Sequence, residues 1–126
     1  MKSYSVHITD YIDNPCIERD ILGDALSTKI SADIEVLLVW HKHITPEYIR
    51  QFPNLKAVVR YGVGYDNIDL EYTNSKGIFV CNTPDYGVDE VSDTAVAMIL
   101  NIARGVTRYD YLSRGYGKNW QENTIA

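Results

Sequence analysis

The stretch LKAVVRYGVGYDNID, residues 55–69, constrains the fold of this chain more than any other segment. It opens with Ala57-Val58-Val59, an apolar run rich in β-branched residues that is typical of a buried strand. The run breaks at Gly62-Val63-Gly64, where two glycines one residue apart allow a sharp turn that leaves backbone N–H groups uncovered. Asp69 has the side chain and the position of a helix N-cap before Leu70-Glu71. The stretch therefore predicts a strand, a glycine turn and a helix start.

The glycine turn admits two interpretations. Uncovered amides and the dipole of a following helix both attract negative charge, so the turn is suited to an anion. The same spacing also occurs in loops that do no more than connect a strand to a helix. The turn residues by themselves favour neither interpretation.

Strand and helix patterns alternate along the rest of the first 81 residues. Helical spacing of Ile17, Ile21, Leu22 and Ala25 predicts a first helix, and Thr45-Pro46-Glu47 predicts the start of another. The predicted strands cover residues 4–8, 28–30, 36–40, 57–59 and 78–81. Short loops between alternating strands and helices indicate a parallel sheet with helices on both faces. The strand at residues 36–40 is apolar throughout, so we expect both of its faces to be covered.

A long helix is predicted from Val88 to Arg104. Asp89 and Glu90 place acidic charge in its first turn, and Gly105 stands where it should end. Residues 95–100 are apolar on every face of this helix. Such a helix is expected to be covered on more than one side, by a second domain, a second subunit or both.

Composition and charge exclude several classes of function. The net charge is −5 and no Lys/Arg cluster is present, which argues against a nucleic-acid partner. Cys16 and Cys81 lack the spacing of a metal site, so no metal is expected and the thiols are expected to be reduced. No apolar run is long enough to span a membrane and the polar N-terminus is no signal peptide, so we predict a cytoplasmic protein.

Other polar residues favour no separate chemistry. His41 and His43 follow a strand without an evident acid/base partner, which predicts exposed loop histidines. Asp10 and Asp13 raise the possibility of a phosphoacceptor module of the receiver type. That module also needs an Asp after the third strand and a Lys after the fifth, and both positions lack these residues. A non-catalytic ligand-binding or dimerisation module stays open as the alternative to an enzyme.

Two segments together resemble the D-isomer-specific 2-hydroxyacid dehydrogenases, the family that includes D-3-phosphoglycerate dehydrogenase and glyoxylate/hydroxypyruvate reductase. The segments are residues 55–84 and 91–104. Their shared features are the glycine turn, the sequence DNID, the sequence KGI before a strand, Asn-x-Pro after that strand and the apolar helix. The resemblance implies an α/β fold, with a flavodoxin-like parallel sheet and flanking helices followed by a long interdomain helix.

The resemblance also implies roles for particular residues. The N–H groups of Val63 and Gly64, on the turn begun by Gly62, would bind the carboxylate of a small 2-hydroxy or 2-keto acid. Arg60 would assist an anionic substrate, and its positive charge suggests that this substrate is phosphorylated or otherwise dianionic. Tyr86 would line the substrate pocket. Val91 would lie near the nicotinamide of NAD, and the long helix would support a homodimer.

The sequence departs from the family in one respect that matters for function. The fingerprint Gly-x-Gly-x-x-Gly, which places the cofactor pyrophosphate on a helix N-terminus, is absent, and Gly115 and Gly117 do not follow an apolar strand. The resemblance therefore implies a substrate-binding domain over residues 1–100 and a nucleotide-binding domain that begins at 101–126 and is truncated. No catalytic residue is assigned within the chain. We expect it to be inactive by itself, and the sequence does not separate NAD from NADP.

Overall fold

Five short parallel strands form the centre of the fold in a computed structural model that describes residues 4–116. The order of the strands across the sheet is β2-β1-β3-β4-β5, and every neighbouring pair is parallel. This is the flavodoxin-like order, so the predicted α/β fold is confirmed. The strands are β1 Val6–Ile8, β2 Leu26–Ser27, β3 Val36–Val39, β4 Ala57–Arg60 and β5 Phe79–Cys81.

Three short helices connect the strands. These are α1 Cys16–Leu22, α2 Pro46–Ile49 and α3 Leu70–Ser75, and a turn of 3-10 helix, Gly23–Ala25, follows α1. The side-chain hydroxyl of Thr45 accepts a hydrogen bond from the N–H of Tyr48 at 3.3 Å and so caps α2. The Asp69 carboxylate accepts from the N–H of Tyr72 at 2.8 Å, which confirms Asp69 as the N-cap of α3.

The buried core surrounds β3. Leu37, Leu38 and Val39 are all buried, and consecutive strand residues point to opposite faces, so both faces of β3 are covered as predicted. One apolar cluster extends from this strand across β4 and onto the helices. It contains Ile34, Leu37, Val39, Ile44, Ile49, Phe52, Leu55, Val58, Ile68 and Ile78.

The second strand lies earlier than predicted. Helix α1 ends at Leu22 because Gly23 takes a positive φ of 52°. The chain then pairs with β1 at Leu26–Ser27, not at residues 28–30. The hydroxyl of Ser27 donates to the carbonyl of Lys29 and accepts from its N–H, so a side-chain turn ends the strand there.

The chain divides into two compact units at the junction of Tyr86 and Gly87. The second unit contains α4 Val88–Arg104, α5 Val106–Tyr111 and a π-helical turn, Leu112–Tyr116. The bounds of α4 are those predicted from the sequence. Gly105 ends it with a left-handed φ of 63°, and the Asn101 side chain accepts from the N–H of Thr107 at 2.9 Å at the junction with α5. A domain boundary at residue 100 stays a prediction.

Helix α4 carries its apolar side chains on an exposed surface, and none of its residues is buried. What covers this surface in the whole protein stays a prediction. Among residues 4–116, no helix has both the length and the apolar character needed to cross a membrane.

Candidate functional site

A pocket of about 480 Å³ opens at the carboxyl ends of the strands. The residues around it come from the loops after β1, β3, β4 and β5 and from helix α1. The order of strands in the sheet reverses direction between β1 and β3, and open α/β sheets bind ligands at the carboxyl ends of strands beside such a point. The fold therefore places this pocket where a ligand is expected. Its lining consists of Ile12, Glu18, Trp40, Tyr61, Thr83 and Tyr86.

Tyr61 and Glu18 meet at the wall of the pocket. The phenol of Tyr61 donates a hydrogen bond to the Glu18 carboxylate at 3.2 Å. Burial, together with the neighbouring Glu18 charge and this hydrogen bond, raises the pKa of Tyr61 to about 12. The phenol thus keeps its proton at neutral pH and remains a hydrogen-bond donor.

The glycine turn begins directly beside this wall and is held from both sides. The N–H of Tyr61 donates to the carbonyl of Val39 at 2.7 Å, which ties the turn to β3. The carbonyl of Gly62 accepts from the N–H of Thr83 at 3.1 Å, and the carbonyl of Val63 accepts from the side-chain amide of Asn82 at 2.8 Å. These bonds attach the turn to the loop after β5, so its conformation is set by two neighbouring strands.

Arg60 folds back over the turn. One nitrogen of its guanidinium donates to the carbonyl of Tyr61 at 2.7 Å. A Cβ atom on Gly62 would lie 1.4 Å from Arg60 Nη1, and Gly62 has a φ of 155° that other residues rarely adopt. Glycine is therefore required at position 62 by both its backbone conformation and the guanidinium packed against it.

Two N–H groups of the turn are unused. Within the part of the chain that the structure describes, those of Val63 and Gly64 donate to no acceptor, and both residues are exposed. Helix α3 begins only at Leu70, after a separate loop, so its N-terminus does not adjoin the turn. Any anion held by the turn would therefore be bound by the two amides, without the helix dipole that the sequence pattern suggested.

Asp10 and Asn67 fix the loop that carries Trp40. The Asp10 carboxylate accepts from the N–H groups of Trp40, His41 and Lys42 at 2.8, 2.8 and 2.9 Å. Burial acts to raise the pKa of Asp10, but these bonds and one from Thr9 outweigh it, so the pKa lies below its ordinary value. The Asn67 amide donates to the carbonyl of Lys42 at 2.9 Å. Asp10 thus positions a pocket wall, and no phosphoacceptor role is needed to explain it.

Sequence reasoning identified only part of this pocket. Tyr86 was predicted to line it and lies in its wall with an exposed side chain, although its role stays a prediction. Trp40, Tyr61 and Thr83 were not predicted as site residues. Each follows the end of a strand in a parallel sheet, and that position is the signal that could have found them.

The remaining candidate residues lie elsewhere. Val91 is on α4 in the second unit, with an exposed side chain. His41 and His43 are exposed, as predicted. Cys16 and Cys81 are exposed free thiols. No group of three or more His, Cys, Asp or Glu side chains within residues 4–116 is arranged to hold a metal ion.

Comparison with known proteins identifies the family. The sequence model of the D-isomer specific 2-hydroxyacid dehydrogenase catalytic domain matches residues 4–126. The chain therefore belongs to the D-isomer-specific 2-hydroxyacid dehydrogenase family. This agrees with the resemblance carried by the glycine turn and the long helix.

Relatives and solved structures define how much of a family member the chain represents. It is 34% identical over 109 residues to a glyoxylate reductase of Pyrococcus horikoshii, which covers 86% of this chain and 32% of the relative. The chain thus spans about a third of the length of the curated relatives it matches.

Two crystal structures show the same fold. A D-lactate dehydrogenase from Aquifex aeolicus, complexed with NAD and lactic acid, matches with a TM-score of 0.80 at 23% identity, over 96% of this chain and 40% of that one. An NADPH-dependent glyoxylate/hydroxypyruvate reductase from Sinorhizobium meliloti, in complex with NADP and malonate, matches with a TM-score of 0.67 at 28% identity, over 90% of this chain and 39% of that one.

Proposed function

We propose that the protein to which this chain belongs is an NAD-dependent D-2-hydroxyacid dehydrogenase, and that the unit ending at Tyr86 binds its substrate. The reaction would transfer a hydride between the nicotinamide and a small 2-hydroxy or 2-keto acid. The observation that carries the proposal is the pair of unused N–H groups of Val63 and Gly64 at the carboxyl end of β4.

The turn has the properties that a carboxylate site needs. Two neighbouring N–H groups without a protein acceptor can each donate to a carboxylate oxygen, and hydrogen bonds to a charged acceptor are the stronger kind. The bonds that tie Gly62 and Val63 to the loop after β5 fix the turn before a ligand arrives. Little conformational freedom would then be lost on binding.

Arg60 would act on the substrate mainly through this turn. Its guanidinium packs against Gly62 and bonds the carbonyl of Tyr61, so it supports the backbone that carries the two amides. Direct contact with an anionic substrate would require the side chain to leave that position. Tyr86, in the wall of the adjoining pocket, would contact the rest of the substrate.

The residues of this chain do not form a recognisable binding site for a nicotinamide dinucleotide. A nicotinamide dinucleotide is supported by the family and by relatives solved with NAD or NADP. The chain has no Gly-x-Gly-x-x-Gly to receive the pyrophosphate. The residues of this chain would therefore hold and orient the acid, and the cofactor would be bound by another part of the whole protein. A place for Val91 beside the nicotinamide, and NAD in preference to NADP, are parts of the proposal.

The proposal extends to assembly and location. The exposed apolar surface of α4 favours a homodimer formed through that helix. The free thiols of Cys16 and Cys81 fit a reducing compartment, and a cytoplasmic location is part of the proposal.

A ligand titration tests the role of the turn. When ¹⁵N-labelled chain is titrated with pyruvate, the N–H signals of Val63 and Gly64 should shift. In Gly64→Val a branched side chain beside the amide should weaken binding about tenfold, the expected cost of losing one hydrogen bond to a charged acceptor. A Cβ atom on Gly64 would meet Asp66 at 3.2 Å, a contact that a small movement relieves.

Gly87→Val is the matched control, because a Cβ atom there would meet no atom within 4 Å and the residue lies outside the turn. It should bind pyruvate as the wild type does. Unchanged affinity in Gly64→Val would remove the turn from the substrate site.

A further inference from the structure

The pocket beside the glycine turn has a defined chemical character. Three of its lining side chains are the aromatic rings of Trp40, Tyr61 and Tyr86. Among the residues that the structure describes, Glu18 is the one charged member of the lining, and its carboxylate accepts a hydrogen bond from Tyr61. The pocket therefore combines an apolar, aromatic wall with a single negative charge.

Within residues 4–116, no Lys or Arg lines the pocket to balance Glu18. Arg19, the neighbour of Glu18 along the chain, donates instead to the side chain of Asn14 at 3.3 Å. Arg60, which precedes Tyr61, directs its guanidinium to the carbonyl of Tyr61. Neither arginine lines the pocket. A second negative group brought into the pocket would therefore meet the Glu18 carboxylate without a compensating cation, which is unfavourable for both.

The pocket adjoins the start of the turn that carries the two unused amides. Tyr61 lines the pocket and immediately precedes Gly62, and Thr83 lines the pocket while its N–H bonds the carbonyl of Gly62. A 2-keto acid whose carboxylate is bound by Val63 and Gly64 would thus have this pocket next to it for its side chain. The volume of about 480 Å³ is within the range of pockets that hold whole small ligands, about 300–1,000 Å³.

We propose that this pocket is the side-chain subsite of the enzyme, and that it selects 2-keto and 2-hydroxy acids with an uncharged apolar side chain. Glu18 would reject substrates that carry a second carboxylate or a phosphate. The proposal rests on the proposed function, because the turn must hold the substrate carboxylate. It predicts a substrate with a single negative charge, whereas Arg60 in the sequence suggested a dianionic one.

The test compares two keto acids of similar length, 2-oxohexanoate with an apolar side chain and 2-oxoglutarate with a second carboxylate. Their dissociation constants are measured from the N–H signals of Val63 and Gly64 in the ¹⁵N-labelled chain. Wild type should bind 2-oxohexanoate about tenfold more tightly, since two like charges a few Å apart near a protein surface repel by an amount of that order.

Glu18→Gln removes the charge and keeps the shape of the side chain. It should tighten 2-oxoglutarate binding about threefold to tenfold and change 2-oxohexanoate binding by less than about twofold. Glu47→Gln is the control, because Glu47 on α2 pairs with Arg50, the residue after that helix, and does not line the pocket. Tyr61→Phe keeps the Glu18 charge and removes its hydrogen-bond donor, so the discrimination against 2-oxoglutarate should persist.

The outcomes separate the two proposals. If both acids shift the Val63 and Gly64 signals with equal affinity, or if Glu18→Gln leaves their ratio unchanged, the charge selection is wrong and the carboxylate site stands. If neither acid shifts these signals, the carboxylate site is wrong and the subsite proposal falls with it.

Discussion

Asp10 positions one wall of the pocket through three hydrogen bonds to backbone N–H groups. Its carboxylate follows β1, and the residues that it binds, 40–42, follow β3. Without such an acceptor the three N–H groups would have to find water or remain unpaired. The side chain of Trp40 depends on this loop for its place in the pocket.

Replacing Asp10 with Asn should destabilise the chain. The amide keeps one acceptor oxygen, but its NH₂ group cannot accept, so at least one N–H group loses its partner. Losing a hydrogen bond to a charged acceptor costs about 1.5–3 kcal/mol in the free energy of unfolding at pH 7, measured in urea. Asp13→Asn, at an exposed aspartate, is the control and should have little effect.

The stability contributed by Asp10 should depend on pH in a defined direction. Its pKa in the folded chain lies below the ordinary value of 3.8, so the contribution is complete above that value and is lost as the pH falls through the folded-state pKa. The difference in unfolding free energy between wild type and Asp10→Asn should therefore narrow when both are measured below pH 3.8. A difference that is the same at pH 7 and in acid would contradict this account of the loop.

At the scale of elements, α4 leaves many of its apolar side chains exposed. Val91, Met98, Ile99 and Ile102 are each at least 60% exposed, and they lie along a helix with no buried residue. Exposed patches of several hundred Å² mark sites of association. The helix is therefore the element from which we expect an interface.

We expect the chain to self-associate through α4 at micromolar concentration, as measured by sedimentation. Ile102→Glu should shift the population towards monomer, because a buried unpaired charge at an interface is strongly unfavourable. Ile30→Glu places the same charge at an exposed apolar residue of the first unit and should leave the association unchanged. A monodisperse wild-type monomer, with α4 folded, would exclude this interface.

At the scale of the whole molecule, this chain carries the proposed substrate site and represents only part of a family member. The family, and relatives solved with NAD or NADP, support a nicotinamide reaction. The chain itself spans about a third of its curated relatives and contains no pyrophosphate fingerprint. We therefore expect this chain to bind the substrate but not the cofactor.

Residues 1–126 alone should not bind NADH. Titration of NADH fluorescence should show no saturation at micromolar concentrations, because the sequence contains no Gly-x-Gly-x-x-Gly to receive the pyrophosphate. The D-lactate dehydrogenase of Aquifex aeolicus, which was solved with NAD, serves as the positive control in the same assay. Saturable binding by the 126-residue chain would place the cofactor site within these residues and overturn the division of roles proposed here.

The elements that the sequence predicted well are those whose signals are local. The apolar run of β3, the Asp69 cap and the bounds of α4 each depend on residues close together in the chain, and all three agree with the structure. The second strand was misplaced because its ending depends on one side chain, Ser27, which forms a turn with Lys29. Such local competition between side chain and backbone is weakly encoded in residue patterns.

The sequence by itself determined the fold class, the glycine turn and the family. These follow from periodicity, glycine spacing and a run of residues characteristic of the family, none of which requires knowledge of distant contacts. The tertiary structure alone decided that Arg60 packs on Gly62, that Asp10 holds the loop of Trp40, and that Glu18 shares a pocket with Tyr61. Parallel strands bring the ends of distant segments to one edge, so the charge of the pocket depends on which loops and helices the sheet places side by side.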